Sequence, residues 1–298
     1  MIDFFSKLVD SVFIFNKPAN RLYFLYLISS LIIVFLFSKE GRKIFSKKYW
    51  LHQSAVFDYK IFLFNQFLKI LVIIPLMFSV FQVSSLMLSF LYQVFGNVKA
   101  LVVSDQNLVW IFTITSFVLN DFARFFMHFL MHKIPVLWNF HRTHHTATVL
   151  TPFTLFRNHP VEVLLSQFRN LISYSLISTI FLFLFNKQVG GVDILGVNIF
   201  GFAFNFIGSN LRHSHIFLGY GPLEYFFISP AQHQIHHARA SKFYDKNFGV
   251  AIALWDFIFG SLVISKKIEM TSFGVDELET HHTFNSQVIR PIKNLFLL

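Results

Sequence analysis

Long apolar runs, broken by short basic or polar segments, set the pattern of this chain. Residues 22 to 37 form the first run and predict a helix, followed by a basic segment with Lys39, Arg42, Lys43, Lys47 and Lys48. Residues 61 to 95 stay apolar for longer than one crossing requires, interrupted by Lys69 and Pro75. Such a run fits either one long tilted helix or two re-entrant halves. A third helix is predicted from about Leu108 to His132, with Asp121, Arg124, His128 and His132 in its C-terminal third. Residues 161 to 185 and 194 to 211 are apolar again, joined by N-K-Q-V-G-G-V-D, and read as a helical hairpin. Several of these runs approach the roughly 20 residues that span a bilayer.

Composition agrees. Of 298 residues, 54% are hydrophobic, 43 are phenylalanine and 13% are charged, against about 25% charged in a soluble domain. The expected class is all-α: an integral membrane helical bundle with a cytosol-facing helical cap. No small-residue cleavage site follows Phe37, so the first run reads as a retained helix and not a removed signal peptide. With no cysteine, the chain has no disulfides, thiolate metal sites or cysteine nucleophiles. The net charge of +10 fits the positive-inside bias of membrane loops, or an acidic partner such as anionic lipid or an electron-donor protein. No basic run interleaves with exposed aromatics in a soluble module, which argues against nucleic acid.

If residues 61 to 95 cross once, segments 38 to 60, 127 to 160 and the chain after Arg212 share one side and hold most of the Lys and Arg residues. That side is expected to be the cytoplasm. The predicted organisation is an N-terminal transmembrane region over 1–106, a catalytic region over 107–264 and a C-terminal tail over 265–298.

The chemistry lies in three histidine groups: H-F-L-M-H at His128 and His132, H-R-T-H-H at His141, His144 and His145, and H-Q-I-H-H at His233, His236 and His237. On a helix, positions i, i+3 and i+4 fall within an arc of about 100°, so each triplet shares a face. Lys133-Ile134-Pro135 is expected to end one helix and start the next, and Ser229-Pro230 to cap a third. Eight imidazoles exceed the needs of one ion and suit two. Iron, zinc, copper and nickel all accept imidazole. His213 is the expected ninth ligand and His215 a weaker one; His159 fits a ligand or a supporting residue. His52 reads as an interfacial surface residue, and His281 and His282 as parts of a solvated tail. Asp121, Arg157, Arg124, Glu162 and Asp256 are candidates to orient imidazoles, since a metal-bound histidine usually gives its other N–H to a carboxylate or carbonyl. Asp121 and Arg157 lead that group.

The motifs D-F-A-R-F-F-M-H-F-L-M-H, L-W-N-F-H-R-T-H-H, R-N-H-P-V-E, H-S-H, P-A-Q-H-Q-I-H-H and K-N-F-G-V-A-I-A-L-W-D-F-I-F-G occur in this order over about residues 117 to 263. Together they resemble the membrane fatty acid hydroxylase and sterol desaturase superfamily. The resemblance implies two iron ions in a non-haem diiron centre, dioxygen as co-substrate, and hydroxylation or desaturation of an unactivated lipid C–H bond. It implies ligand roles for His128, His132, His141, His144, His145, His233, His236 and His237, joined by His213. His215 stands where the family usually has asparagine. A separate electron donor of the cytochrome b5, ferredoxin or reductase type is implied, with a basic docking surface that includes Arg239, Lys242 and Lys246 unless these form an ordinary solvated loop.

Three other readings compete with it. Alkylglycerol ether cleavage lies within the same superfamily. A zinc-dependent membrane hydrolase needs a general base, and no H-E-x-x-H glutamate is present. A metal transporter or sensor is expected to bind near the bilayer midplane, whereas these groups sit at predicted helix ends.

Overall fold

A computed structural model describes residues 14–38, 45–74, 78–268, 272–275 and 281–296. Lys39, Arg42, Lys43 and Pro75 lie outside the described residues. The chain is mostly helical. Helix α1 covers Phe24–Phe37 and α2 covers Gln53–Leu68, which a π-helical segment at Lys69–Ile73 extends. Helix α3 (Val80–Phe95) starts in a capping box between Ser79 and Gln82, so the long apolar run 61 to 95 is divided between two helices.

Helix α4 (Asp105–Lys133) and α6 (Pro160–Phe185) are long and apolar enough to cross a membrane. Both leave large apolar side chains exposed, among them Ile111, Ile114, Phe168 and Ile172, a surface that favours a lipid neighbour over water. The two pack on one another, and α6 also packs along α3. Small polar residues let the backbones approach there: Ser84 donates to the Ser175 carbonyl at 3.3 Å and Thr179 to the Ser84 carbonyl at 3.2 Å. Such bonds are a usual adhesive where lipid removes the hydrophobic drive between helices. Leu108, Ile177 and Phe181 fill the core of this bundle.

The expected helix breaks are found. Ile134 is extended, as the residue before proline prefers, and Pro135 opens α5 (Pro135–His145). Ser229 caps α8 (Pro230–His236), where its hydroxyl accepts from Gln232 N–H and Gln232 answers in a capping box.

The expected hairpin of apolar helices after residue 160 takes another form. Strands β1 (Asp193–Ile194) and β2 (Val197–Asn198) pair antiparallel, and α7 (Ile199–Phe206) has only eight residues before a 3₁₀ turn at Ser209–His213. Gly196 and Gly208 sit at φ 75° and 96°, conformations that glycine adopts without a Cβ clash, and they bracket this short element.

The C-terminal segment also differs from a solvated tail. Residues 284–294 form a π turn and a helical turn against α5. Thr143 donates to the Gln287 carbonyl at 2.8 Å, and Val288 is buried with Phe57 and Ile61. Val288 supplies the apolar anchor that holds this segment down.

Candidate metal centre

Four elements bring the nine predicted histidines together. His128 and His132 come from the end of α4, His141, His144 and His145 from α5, His213 from the 3₁₀ turn, and His233 and His236 from α8, with His237 at its C-cap. They fall into two groups: His128, His132, His141, His145 and His236 in one, and His144, His213, His233 and His237 in the other. Within each group the available ligand atoms lie within 4.8 Å of one another. The groups abut, with the His145 ring stacked on His237 at 4.6 Å.

Helix geometry explains the division of each triplet. Positions i and i+4 lie about 40° apart around the axis, while i+3 lies about 60° to the other side of i. Accordingly His141 and His145 enter one group and His144 the other, and His233 with His237 are likewise separated from His236. Each triplet thereby contributes to both groups.

The nitrogen positions fit metal ions. The Nε2 atoms of His213, His233 and His237 stand 3.0, 3.2 and 3.3 Å apart in a closed triangle. Each hydrogen bond between two such atoms needs one protonated and one bare nitrogen, and three mutual contacts cannot all meet that condition. A shared cation satisfies all three. Metal–nitrogen bonds of about 2.0–2.1 Å at angles between octahedral and tetrahedral place neighbouring nitrogens about 2.8–3.4 Å apart. The Nε2 atoms of His132 and His141 each lie 3.2 Å from that of His145, in the same range. The Nε2 atoms of His128 and His236 are buried with no hydrogen-bond partner.

Burial disfavours the charged form of an imidazole and so favours the neutral form that a metal requires. It pushes His144, His145, His213, His233 and His237 well below the ordinary histidine range, helped by neighbouring imidazoles and, at His213, first by Arg212 and Arg21. His236 is pushed down to about 3 by burial, against the opposing effect of its bond to the Lys246 carbonyl.

Backbone carbonyls orient two of the rings. His128 Nδ1 lies 2.8 Å from the Phe248 carbonyl, and His236 Nδ1 lies 2.7 Å from that of Lys246. These contacts place the proton on Nδ1 and leave Nε2 bare. The loop that supplies both carbonyls is tightly specified: Asp245 and Asn247 adopt left-handed φ of 59° and 55°, which turns the intervening Lys246 carbonyl toward His236. Asp256 then holds the loop by accepting from Phe248 N–H and Gly249 N–H, both at 2.7 Å. A Cβ on Gly249 would stand 2.6 Å from the Asp256 carboxylate, which explains the glycine.

Among the carboxylates proposed to orient imidazoles, Glu162 comes within ion-pair distance of one, its Oε1 lying 3.1 Å from His141 Nδ1 without the geometry of a hydrogen bond. Asp121 reaches no imidazole. It accepts from Ala251 N–H, Ile252 N–H and the Trp255 indole, tying α4 to the Phe248 loop, because its neighbours present three donors there. Arg157 likewise touches none of the nine. Its guanidinium is fully buried, pairs with Asp58 at 2.8 Å and donates to the Thr143 carbonyl and Thr146 hydroxyl, which locks the end of α5 against α2.

Asp245, 3.4 Å from His132 Nδ1, is an orienting contact that the motifs did not signal. His159 spends both nitrogens elsewhere: Nδ1 caps α6 at Val161 N–H and Nε2 meets the Val288 carbonyl at 3.0 Å. His215 joins neither group and packs edge-on against Tyr49. His52 caps α2. His282, expected in a solvated tail, meets Arg157 at 2.9 Å and Thr148 at 3.3 Å.

Two cavities reach the histidines. One of about 330 Å³ is lined by His132, His145 and His236 with Trp138, Tyr244 and Asp245. Another, of about 340 Å³, touches members of both groups, including His128, His141, His144 and His213.

The fatty acid hydroxylase family model matches residues 113–261, which contain all nine histidines. The chain is 25% identical over 172 residues to alkylglycerol monooxygenase of Homo sapiens, covering 55% of this chain and 35% of that protein. It is 27% identical over 141 residues to alkylglycerol monooxygenase of Danio rerio, covering 47% and 28%. It is 26% identical over 159 residues to an ornithine lipid hydroxylase of Rhizobium tropici, covering 53% and 44%. The chain thus spans less than half the length of these relatives. No solved structure matches it. Matched over half its length by that family model, the chain belongs to the fatty acid hydroxylase family.

Proposed function

We propose that this protein is an integral membrane diiron oxygenase that hydroxylates, or desaturates at, an unactivated C–H bond of a lipid. The observation that carries the reading is the pair of abutting groups of five and four buried imidazoles. Family membership supports iron over the other metals that imidazole accepts. Two bound iron ions would supply dioxygen activation, with two electrons per turnover from a separate donor of the cytochrome b5, ferredoxin or reductase type.

The chain's own residues hold and shield that chemistry. The nine histidines are the proposed ligands. The carbonyls of Lys246 and Phe248, with Glu162 and Asp245, fix ring orientation. Phe248 is fully buried and packs edge-on against His128, His132 and His236, keeping water from that side. The cavity that touches both groups is the proposed seat of the substrate. Arg239, Lys242 and Lys246, in and beside the loop after His237, are the proposed docking surface for the donor.

The proposed topology is multi-pass, with α4 and α6 as spans and the metal centre at the cytoplasmic boundary. Residues 107–264 then form the catalytic region. Ether cleavage in an alkylglycerol is the second reading, favoured by the similarity to alkylglycerol monooxygenases.

Metal analysis of detergent-purified protein, with reductant-dependent dioxygen uptake in the presence of membrane lipid, tests the proposal. Iron with lipid-stimulated uptake is expected. Zinc without uptake after iron reconstitution would mark a hydrolase, and metal entry into proteoliposomes a transporter. Comparative lipid profiling of cells with and without the gene then identifies the oxidised lipid.

A further inference from the structure

Four arginines line the cavity that touches both histidine groups: Arg21, Arg124, Arg169 and Arg212. They come from four places in the chain: just before α1, within α4, within α6, and the turn that carries His213. Arg21 and Arg124 also line a second cavity of about 290 Å³. Burial pushes Arg21 well below the ordinary arginine range, and the charges of Arg212 and Arg124 add to that effect.

Acidic compensation is sparse. Asp121 lines the second cavity and offsets part of the charge on Arg21 and Arg212, while its oxygens accept two backbone N–H groups and an indole and form no ion pair with either arginine. Glu162 lines the first and lies against His141. Arg212 is committed to the carbonyls of Ser209 and Val250, and Arg169 to Asn170. Among the described residues, neither Arg21 nor Arg124 has a hydrogen-bonded or ion-paired side-chain partner. Gathering like charges around one partly buried cavity is costly unless an anion balances them. Guanidinium is the side chain best shaped to hold a phosphate or carboxylate by paired hydrogen bonds.

We infer that this arginine-lined cavity holds an anionic group, a phosphate or carboxylate, at the polar end of the lipid substrate. The inference rests on the oxygenase reading for the word substrate, since the same cavity reaches the histidines. Arg21 and Arg124 make the direct contacts. Arg169 and Arg212 supply background charge.

Binding to the metal-loaded, detergent-solubilised protein tests this with three probes: dioctanoyl phosphatidic acid, dioctanoylglycerol and inorganic phosphate. The phosphatidic acid is expected to bind at least about tenfold more tightly than either other probe. Arg21→Gln and Arg124→Gln should each erase most of that preference, and Arg124→Lys should restore part of it. Equal binding of the two lipids overturns the inference, and so does a preference that survives both glutamine variants. Inorganic phosphate binding as tightly as the lipid assigns the site to a free anion and overturns the headgroup assignment. The wild-type comparison decides even if a variant fails to fold. Iron content and dioxygen uptake of the same preparation report separately on the oxygenase reading, so the two can fail independently.

Discussion

His144 and His145 are neighbours in the chain, yet their rings stand at 89° with centroids 5.6 Å apart and belong to different histidine groups. Consecutive helix residues diverge by about 100°, so a single helix serves two adjacent sites. His236 and His237 repeat the arrangement, at 86° and 5.4 Å.

Single substitutions should therefore separate the two sites. His145→Ala and His144→Ala are each expected to leave about one tightly held iron per chain in place of about two, with turnover down by at least about a hundredfold, beyond what loss of an orienting contact costs. Elemental analysis with dioxygen uptake checks this. Full iron and normal turnover in both variants would end the ligand assignment.

Gly249→Ala should weaken the centre without touching a ligand. The added methyl group meets the Asp256 carboxylate and Ile228, displacing the loop whose Phe248 carbonyl orients His128. A loss of about 10- to 100-fold in metal affinity is expected. Chelator competition measures it.

Arg157→Met should destabilise the fold by about 3–5 kcal/mol, since it strands the Asp58 carboxylate in a site where both side chains are fully buried. Adding Asp58→Asn should recover part of the loss. Thermal melting of the single and double variants decides. A double variant no better than the single shows that contacts to α5, and not the ion pair, carry the effect.

Acid should unfold the metal-free protein. His236 falls from 6.5 to about 3 on folding, so below the higher value the unfolded chain binds its proton first. Stability is therefore complete above about pH 6.5 and declines as pH falls toward about 3, with His144, His145, His213, His233 and His237 adding in the same direction. Melting temperature followed from about pH 8 to about pH 4 in stripped protein reads this directly. A flat profile contradicts neutral buried imidazoles, and saturating iron should raise the curve throughout.

Local chemistry was legible in the chain itself. Proline at 135 and 230, serine at 229 and the i, i+3, i+4 spacing of histidines are short-range signals, because capping and helix periodicity depend on residues within a few positions of one another. These set the break between α4 and α5, the start of α8 and the shared face of each triplet. Tertiary structure decided which imidazole joins which group, since that depends on how α4, α5 and α8 meet. It also decided that Asp121 and Arg157 tie elements together while Glu162 and Asp245 reach histidines, because a carboxylate bonds whichever donor the fold sets beside it. The carbonyls of Lys246 and Phe248 have no side-chain identity to read. Arg21, Arg124, Arg169 and Arg212 share no motif, and only the folded chain places four distant guanidiniums around one cavity.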